Sequence, residues 1–169
     1  MGDLAEVLSA VRRAGDAVEV ELEDVEAAIL LDLVGRVCEL LQAGTDGAQE
    51  ALPSDPVLAR LLPDAHRDDA ELAREHRALT EDSLRSDKLG AAELMLAALP
   101  VEGGTVALGP DDVDPWLRVL TDVRLMLGVE LDVTEHTEPP RRVRSQRDVQ
   151  LSVYYWLTHL QDRLVELAS

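Results

Sequence analysis

Apolar positions in this chain recur mainly at helical spacing. Asp24 offers an N-cap for a helix running to about Gln42, with Gly44 beyond its end. Along it Val25, Ile29, Leu33, Val37 and Leu41 form a stripe that Ala28, Leu31, Val34 and Cys38 widen. So broad an apolar arc predicts a helix covered on much of its circumference, the central one of the fold. A last helix is predicted from Asp148 to about Leu167, with Val149, Val153, Trp156, Leu160, Leu164 and Leu167 three or four apart. Between these two, a short helix from Val57 to Leu62 ends at Pro63, and a charged helix follows from about Asp69 to Leu79. Thr80 reads as the cap of a further helix that buries Leu89, Ala92, Leu96 and Leu99 before Pro100 stops it. Asp111 and Asp112 open another, which tolerates Pro115 in its first turn, buries Val113, Trp116, Leu120, Val123 and Leu127, and closes at Gly128.

A different period marks Ala17 to Leu22, where Val18, Val20 and Leu22 alternate with Glu19 and Glu21 as in a half-buried strand. Gly103 and Gly104 lead into Thr105–Leu108, a short strand able to pair with it. Leu4 to Arg13 reads equally well as a short helix or as a partner strand turning at Gly15–Asp16. The segments 43–56 and 134–147 read as loops, with an extended stretch allowed over Val129–Val133, and 1–16 as loosely attached. The expected fold is a single, mainly α domain over 1–169. It is a helical bundle of five to six helices with a small two-stranded β element, which must lean on the helices to be stable.

Charge changes the picture most. The chain has 34 acidic and 16 basic residues, a net charge of -18, and a body that is 46 % hydrophobic but only 2 % aromatic, without Phe. That apolar fraction argues against general disorder, and the core must be built from Leu, Val, Ala and Met. Affinity for nucleic acid comes chiefly from cations replacing condensed counterions, so no direct nucleic-acid binding is expected. Lys88 is the sole Lys, and the Arg excess reads as the composition of a GC-rich genome. No basic segment precedes an apolar run at the N-terminus, and no apolar run approaches the roughly 20 residues of a membrane helix. The single cysteine, Cys38, cannot form an intramolecular disulfide and fits a reducing interior, so the expected location is cytoplasmic.

Candidate chemistry is sparse. His66, His76, His136 and His159 show no ligand spacing, and no glycine-rich phosphate loop or Gly-x-Ser-x-Gly elbow occurs. Neither cofactor nor metal is expected, and an unrecognised enzyme ranks third among the function classes. Charged and polar side chains between Leu61 and Lys88 form the strongest candidate for a partner-binding surface: Arg67, Asp68, Asp69, Arg74, Arg77, Thr80, Glu81, Asp82, Arg85 and Lys88. The bland alternative is a solvated helix carrying ion pairs such as Glu71–Arg74 and Asp82–Arg85. A basic island, Arg141, Arg142, Arg144 and Arg147, follows Pro139–Pro140; it reads as a contact for acidic protein or phosphate, or as a loop offsetting the acidic field. The acidic run Asp16, Glu19, Glu21, Glu23, Asp24, Glu26 and Asp32 offers a surface to a basic protein, or is simply solvated. Cys38, on the apolar face Val34–Leu41, is expected to be a core residue with a slow thiol, and a redox role for it is disfavoured. Trp156 faces the core and Tyr154 or Tyr155 more outward, a possible anchor for a partner or a homodimer.

Several of these residues carry a resemblance. Leu61–Ala65 with Arg67–Asp69, Arg77, Leu79–Asp82, Leu84–Arg85 and Lys88 begin it. Trp116–Leu120, Asp122, Arg124–Leu125, Leu127–Gly128 and Val133–Glu135 continue it, and Tyr155–Thr158, Leu160–Gln161 and Leu164–Val165 end it. Together they resemble an actinobacterial family known as domain of unknown function 2017, some of whose members bear the designation oxidative-stress regulator. The chain departs from the pattern at His66 and His76, where aromatics are usual, and at Thr121, where Asn is. The resemblance implies a small cytosolic protein without established enzyme activity. It also implies a gene often beside that of an adaptor for a Clp-type protease, and in some members a redox role using paired cysteines. The expected function is therefore non-enzymatic regulation through protein partners, in oxidative-stress transcription by way of a sigma factor or RNA polymerase component. An adaptor role in Clp-type proteolysis is the alternative.

Overall fold

The computed structural model describes residues 11–43, 56–62 and 70–169, with the side chains of 70–80 outside that description. Two strands open it, β1 (Val11–Ala14) and β2 (Ala17–Leu22), followed by helices α1 (Asp24–Ala43), α2 (Pro56–Leu61) and α3 (Ala70–Ala98). Strand β3 (Gly104–Leu108) and helices α4 (Val113–Glu130) and α5 (Gln146–Ala168) complete the described elements. The fold is mainly helical, and no helix among the described residues is long and apolar enough to cross a membrane.

The sheet is three-stranded rather than two-stranded, antiparallel, in the order β1-β2-β3. Gly15, at a φ of 64°, turns β1 into β2, and Val11 pairs with Val20 and Arg12 with Glu19. Strand β1 is hard to see in sequence because Val11 is the one large apolar residue in Val-Arg-Arg-Ala. On the other side Val18 pairs with Leu108 and Val20 with Val106, the expected pairing. Val11, Val18, Val20, Leu22, Val106 and Leu108 are buried on one face, packed towards α1 and α5. The opposite face carries Arg12, whose Nε donates to Glu19 Oε2 at 2.7 Å, together with Glu21 and Thr105.

Helix α4, not α1, is the central one: it packs against α1, α2, α3 and α5. Val113, Trp116, Val119, Leu120, Asp122, Val123, Met126 and Leu127 are buried along it, so two adjoining faces are covered. In α1 the buried line is Ala27, Leu30, Leu33, Val34, Val37, Cys38 and Leu41, while Val25 is 66 % exposed. A stripe stepping only by four turns about 40° per step, so Val25 and Leu41 lie about 160° apart and cannot share a face. Alternating steps of three and four hold the line straight.

Thr80 does not begin a helix; α3 runs unbroken for 29 residues through it. No Gly or Pro interrupts Ala70–Leu89, and a mid-helix Thr costs well under ~1 kcal/mol. Gly128 does not end α4 either. Asp132, at a φ of 52°, takes the left-handed position after the helix, and Val133 N donates to Gly128 O at 2.9 Å and Asp132 N to Val129 O at 3.2 Å. Such paired bonds close a helix C-terminus, and they replace the extended stretch expected over Val129–Val133.

Helix α5 starts two residues before the expected Asp148. Ser145 is its N-cap: the Ser145 Oγ accepts from Asp148 N at 3.1 Å, and Asp148 Oδ2 accepts from Ser145 N at 3.0 Å and Arg144 N at 2.9 Å. Leu151, Trp156, Leu157, Leu160 and Leu164 are its buried residues, whereas Val149 is exposed. The amide of Arg144 and the Ser145 hydroxyl hold the Asp148 carboxyl below its usual pKa, so its contribution is present above the ordinary carboxylate range and fades as pH falls through the lowered value. Ser145→Ala should cost the fold about 1 kcal/mol in chemical denaturation, with protection of the first-turn amides of α5 lost first in hydrogen exchange.

Candidate functional site

Polar side chains penetrate the bundle where α1, α3 and α4 meet. Lys88 Nζ on α3 donates to Asp122 Oδ1 on α4 at 2.6 Å, and the Asp122 side chain is only 4 % exposed. Burial pushes the Asp122 carboxyl above its usual pKa even though the Lys88 hydrogen bond and charge pull it down. One turn earlier on α3, Arg85 Nη1 donates to Leu41 O at 2.5 Å and its Nη2 to Glu81 Oε1 at 3.2 Å. Leu41 lies in the last turn of α1, so Arg85 satisfies a carbonyl that has no partner within its own helix and places a cation at the negative end of the helix dipole.

A second network joins α4 to α5. Arg124 Nη1 donates to Gln161 Oε1 at 2.7 Å, and Gln161 Nε2 donates to Thr121 Oγ1 at 2.6 Å and Leu117 O at 3.3 Å. The Arg124 guanidinium lies 5.5 Å from the Tyr154 ring centroid, and Tyr154 meets Tyr155 edge-on at 5.4 Å. At the surface Arg36 of α1 holds Glu130 of α4.

These contacts redistribute the residues singled out by sequence. Arg67, Asp68 and Asp69 lie outside the described residues, as do the side chains of Arg74, Arg77 and Thr80 on α3. Asp82 is exposed, but Arg85 pairs with Glu81 instead of Asp82 and is buried, and Lys88 points inward to Asp122. Arg85 and Lys88 thus clamp helices together instead of facing solvent. Cys38 is 7 % exposed, and burial, with Glu93 and Glu39 nearby, pushes its thiol pKa up. Spacing alone could have exposed the clamp. Arg85, Lys88, Ala92, Met95 and Leu99 step by three and four along one line, so both cations occupy stripe positions that ordinarily bury apolar side chains.

Arg141, Arg142 and Arg144 lie exposed between α4 and α5, and Arg147, also exposed, stands in the first turn of α5 instead of in the expected loop. The segment is anchored at both ends. Tyr155 Oη donates to Thr137 O at 2.6 Å, and a turn at Thr134–Thr137 is closed by Thr134 N on Thr137 Oγ1 at 2.9 Å. At the other end stands the Ser145–Asp148 capping box. Among the described residues no group of three His, Cys, Asp or Glu side chains is placed to hold a metal ion.

Fold and site together define a helical protein with a small antiparallel sheet, an interior tied by the buried Arg85 and the partly buried Lys88, and an exposed arginine loop. The chain belongs to the family described as a domain of unknown function, DUF2017, whose model matches residues 8–168. It is 31% identical to a protein named "Oxidative stress regulator AosR" from Mycobacterium tuberculosis (strain ATCC 25618 / H37Rv), over 83% of this chain and 77% of that protein. A relative of the same name from Mycobacterium bovis (strain ATCC BAA-935 / AF2122/97) matches to the same extent. No solved structure matches.

Proposed function

We propose that this chain regulates an oxidative-stress response through contacts with protein partners and without catalysing a reaction itself. The observation that carries the reading is its likeness, over most of its length, to proteins named for that role. The interior adds support, because Arg85, Lys88, Asp122 and Arg124 are engaged in joining helices, leaving no nucleophile paired with an oriented base among them. A net charge of -18 repels DNA, so the transcriptional route runs through a sigma factor or another polymerase component. Sensing by a disulfide within the chain is impossible with one cysteine, and a buried thiol with a raised pKa oxidises slowly. Peroxide is therefore sensed by a partner.

Tagged protein captured from its host with and without peroxide tests this reading. Polymerase subunits or a sigma factor should be enriched in a peroxide-dependent way, and Cys38→Ala should leave that dependence intact. Enrichment of Clp-type protease subunits in their place, or a deletion strain with unaltered peroxide survival, would overturn the reading.

A further inference from the structure

We infer that the arginine loop between α4 and α5 is a preorganised docking surface for a short acidic segment of a partner protein, two or more carboxylates flanking an apolar residue. The inference rests on the reading above only in requiring that the chain work through protein contacts.

Four guanidiniums stand exposed within seven residues, and none of them is ion-paired with another described residue. Yet carboxylates outnumber cations two to one in this chain, and Arg12, Arg36, Arg118 and Arg163 elsewhere in the structure each hold one. Arg13 and Arg60 also lack a carboxylate among the described residues, but they stand singly. A loop that merely offset the acidic field would draw its arginines onto neighbouring acids. These remain turned to solvent, with only the Arg144 charge acting at a distance on a neighbouring acid, Asp148.

The path from Leu131 to Ser145 contains neither helix nor strand, a length that in compact folds is usually kept for functional or linker segments. The loop is nonetheless pinned, by Tyr155 Oη on Thr137 O at one end and by the capping box of α5 at the other. Pro139–Pro140 restricts the chain between these anchors. Side chains presented from a fixed backbone lose less freedom on binding, so the anchors raise affinity without touching the ligand.

Carboxylate chemistry follows from the guanidinium forks, which donate to two carboxylate oxygens in plane. Apolar chemistry follows from Val143, 37 % exposed in the middle of the arginines, and from the exposed Pro139. The occupant must also be short. Beyond the loop the body is strongly anionic, and a duplex would bring phosphates within a Debye length, about 8 Å at physiological salt, of that body. A few carboxylates on a neutral partner meet only the loop.

The experiment measures binding of labelled peptides in which Asp and Glu flank one Leu, Val or Phe, against the same peptides with Asn and Gln and against duplex DNA, inorganic phosphate and free glutamate. Acidic peptides should bind in a salt-sensitive way, and R141E/R142E/R144E should weaken them at least about tenfold. Arg118→Glu, an exposed arginine already paired with Asp114, should have little effect. Tyr155→Phe changes no charge but frees the loop, and should weaken binding about threefold with an unchanged circular dichroism spectrum. Equal capture of the amide peptides, tighter binding of duplex DNA or phosphate, or no arginine-dependent binding across the peptide set would overturn the inference. Should the triple variant bind no peptide yet support normal peroxide survival, the loop's role falls and the regulatory reading stands. Intact peptide binding with no peroxide phenotype on deletion leads to the reverse conclusion.

Discussion

Lys88→Met should lower the stability of the fold by about 3 kcal/mol near neutral pH, the low end of what removing one member of a buried pair costs, because Lys88 is partly exposed. The loss comes from the Asp122 carboxylate, left buried with no cation beside it. Burial already places the folded carboxyl above its unfolded pKa. The folded state therefore holds its proton more tightly, and stability falls as pH rises from the ordinary carboxylate range through the raised value. Removing Lys88 raises the folded pKa further, so the gap between variant and parent should be full near neutrality and close as pH falls below the parent's folded pKa. Urea titrations at several pH values measure it. A pH-independent gap would mean that the Lys88 stem, not its charge, holds the helices. Adding Asp122→Leu to Lys88→Met should restore most of the stability, since well-packed apolar pairs replace buried ion pairs with little loss.

Gly103→Ala should cost on the order of 3 kcal/mol, through two effects at one atom. Gly103 has a φ of 77°, which an L side chain rarely adopts, and an added Cβ would stand 2.7 Å from Asp24 Oδ1, 2.8 Å from Asp24 N and 2.9 Å from Leu22 O. Two of those neighbours are backbone and cannot swing away, so either the entry to β3 or the start of α1 must shift. Gly15→Ala separates the terms. That glycine has a φ of 64° but nothing within 4 Å, so it should lose only about 1 kcal/mol, the backbone strain alone. Similar thermal melts for the two variants would show that the junction of β2, α1 and β3 yields to the extra methyl group.

Much of this architecture was legible in the chain. The helical faces around Trp116–Leu127 and Trp156–Leu164 follow from their spacing, and the pairing of β2 with β3 follows from alternation at Val18–Leu22 and the glycines before Thr105. Other features escaped for reasons that are physical. Val11 is a single apolar residue and sets no period; its strand exists because β2 offers it an edge. Thr80 has the chemistry of a cap, but a cap acts only where neighbouring residues leave the helix, and Ala, Leu and Glu around it do not. Helix α4 gains its central place from contacts with four helices, which no local pattern encodes. Of the candidate site, the arginine loop was visible as an acid-free run. The inward turn of Arg85 and Lys88 was hidden because charge reads as exposure until the stripe position is counted. Their partners, Leu41 and Asp122, are brought to them only by the packing of α1 and α4.

Strand β3 joins β2 only after α1, α2 and α3 have been made, because Val18 and Leu108 stand at opposite ends of everything between. In a chain emerging from the ribosome the far edge of β2 therefore has no β3 to pair with until all three helices have been made. Bare edges recruit strands from neighbouring chains and seed aggregates. Glu19 and Glu21 lie along that waiting edge, where like charges on a second nascent chain would repel. Neutralising Glu19 and Glu21 should therefore show first as poor yield during synthesis, with the finished fold little changed.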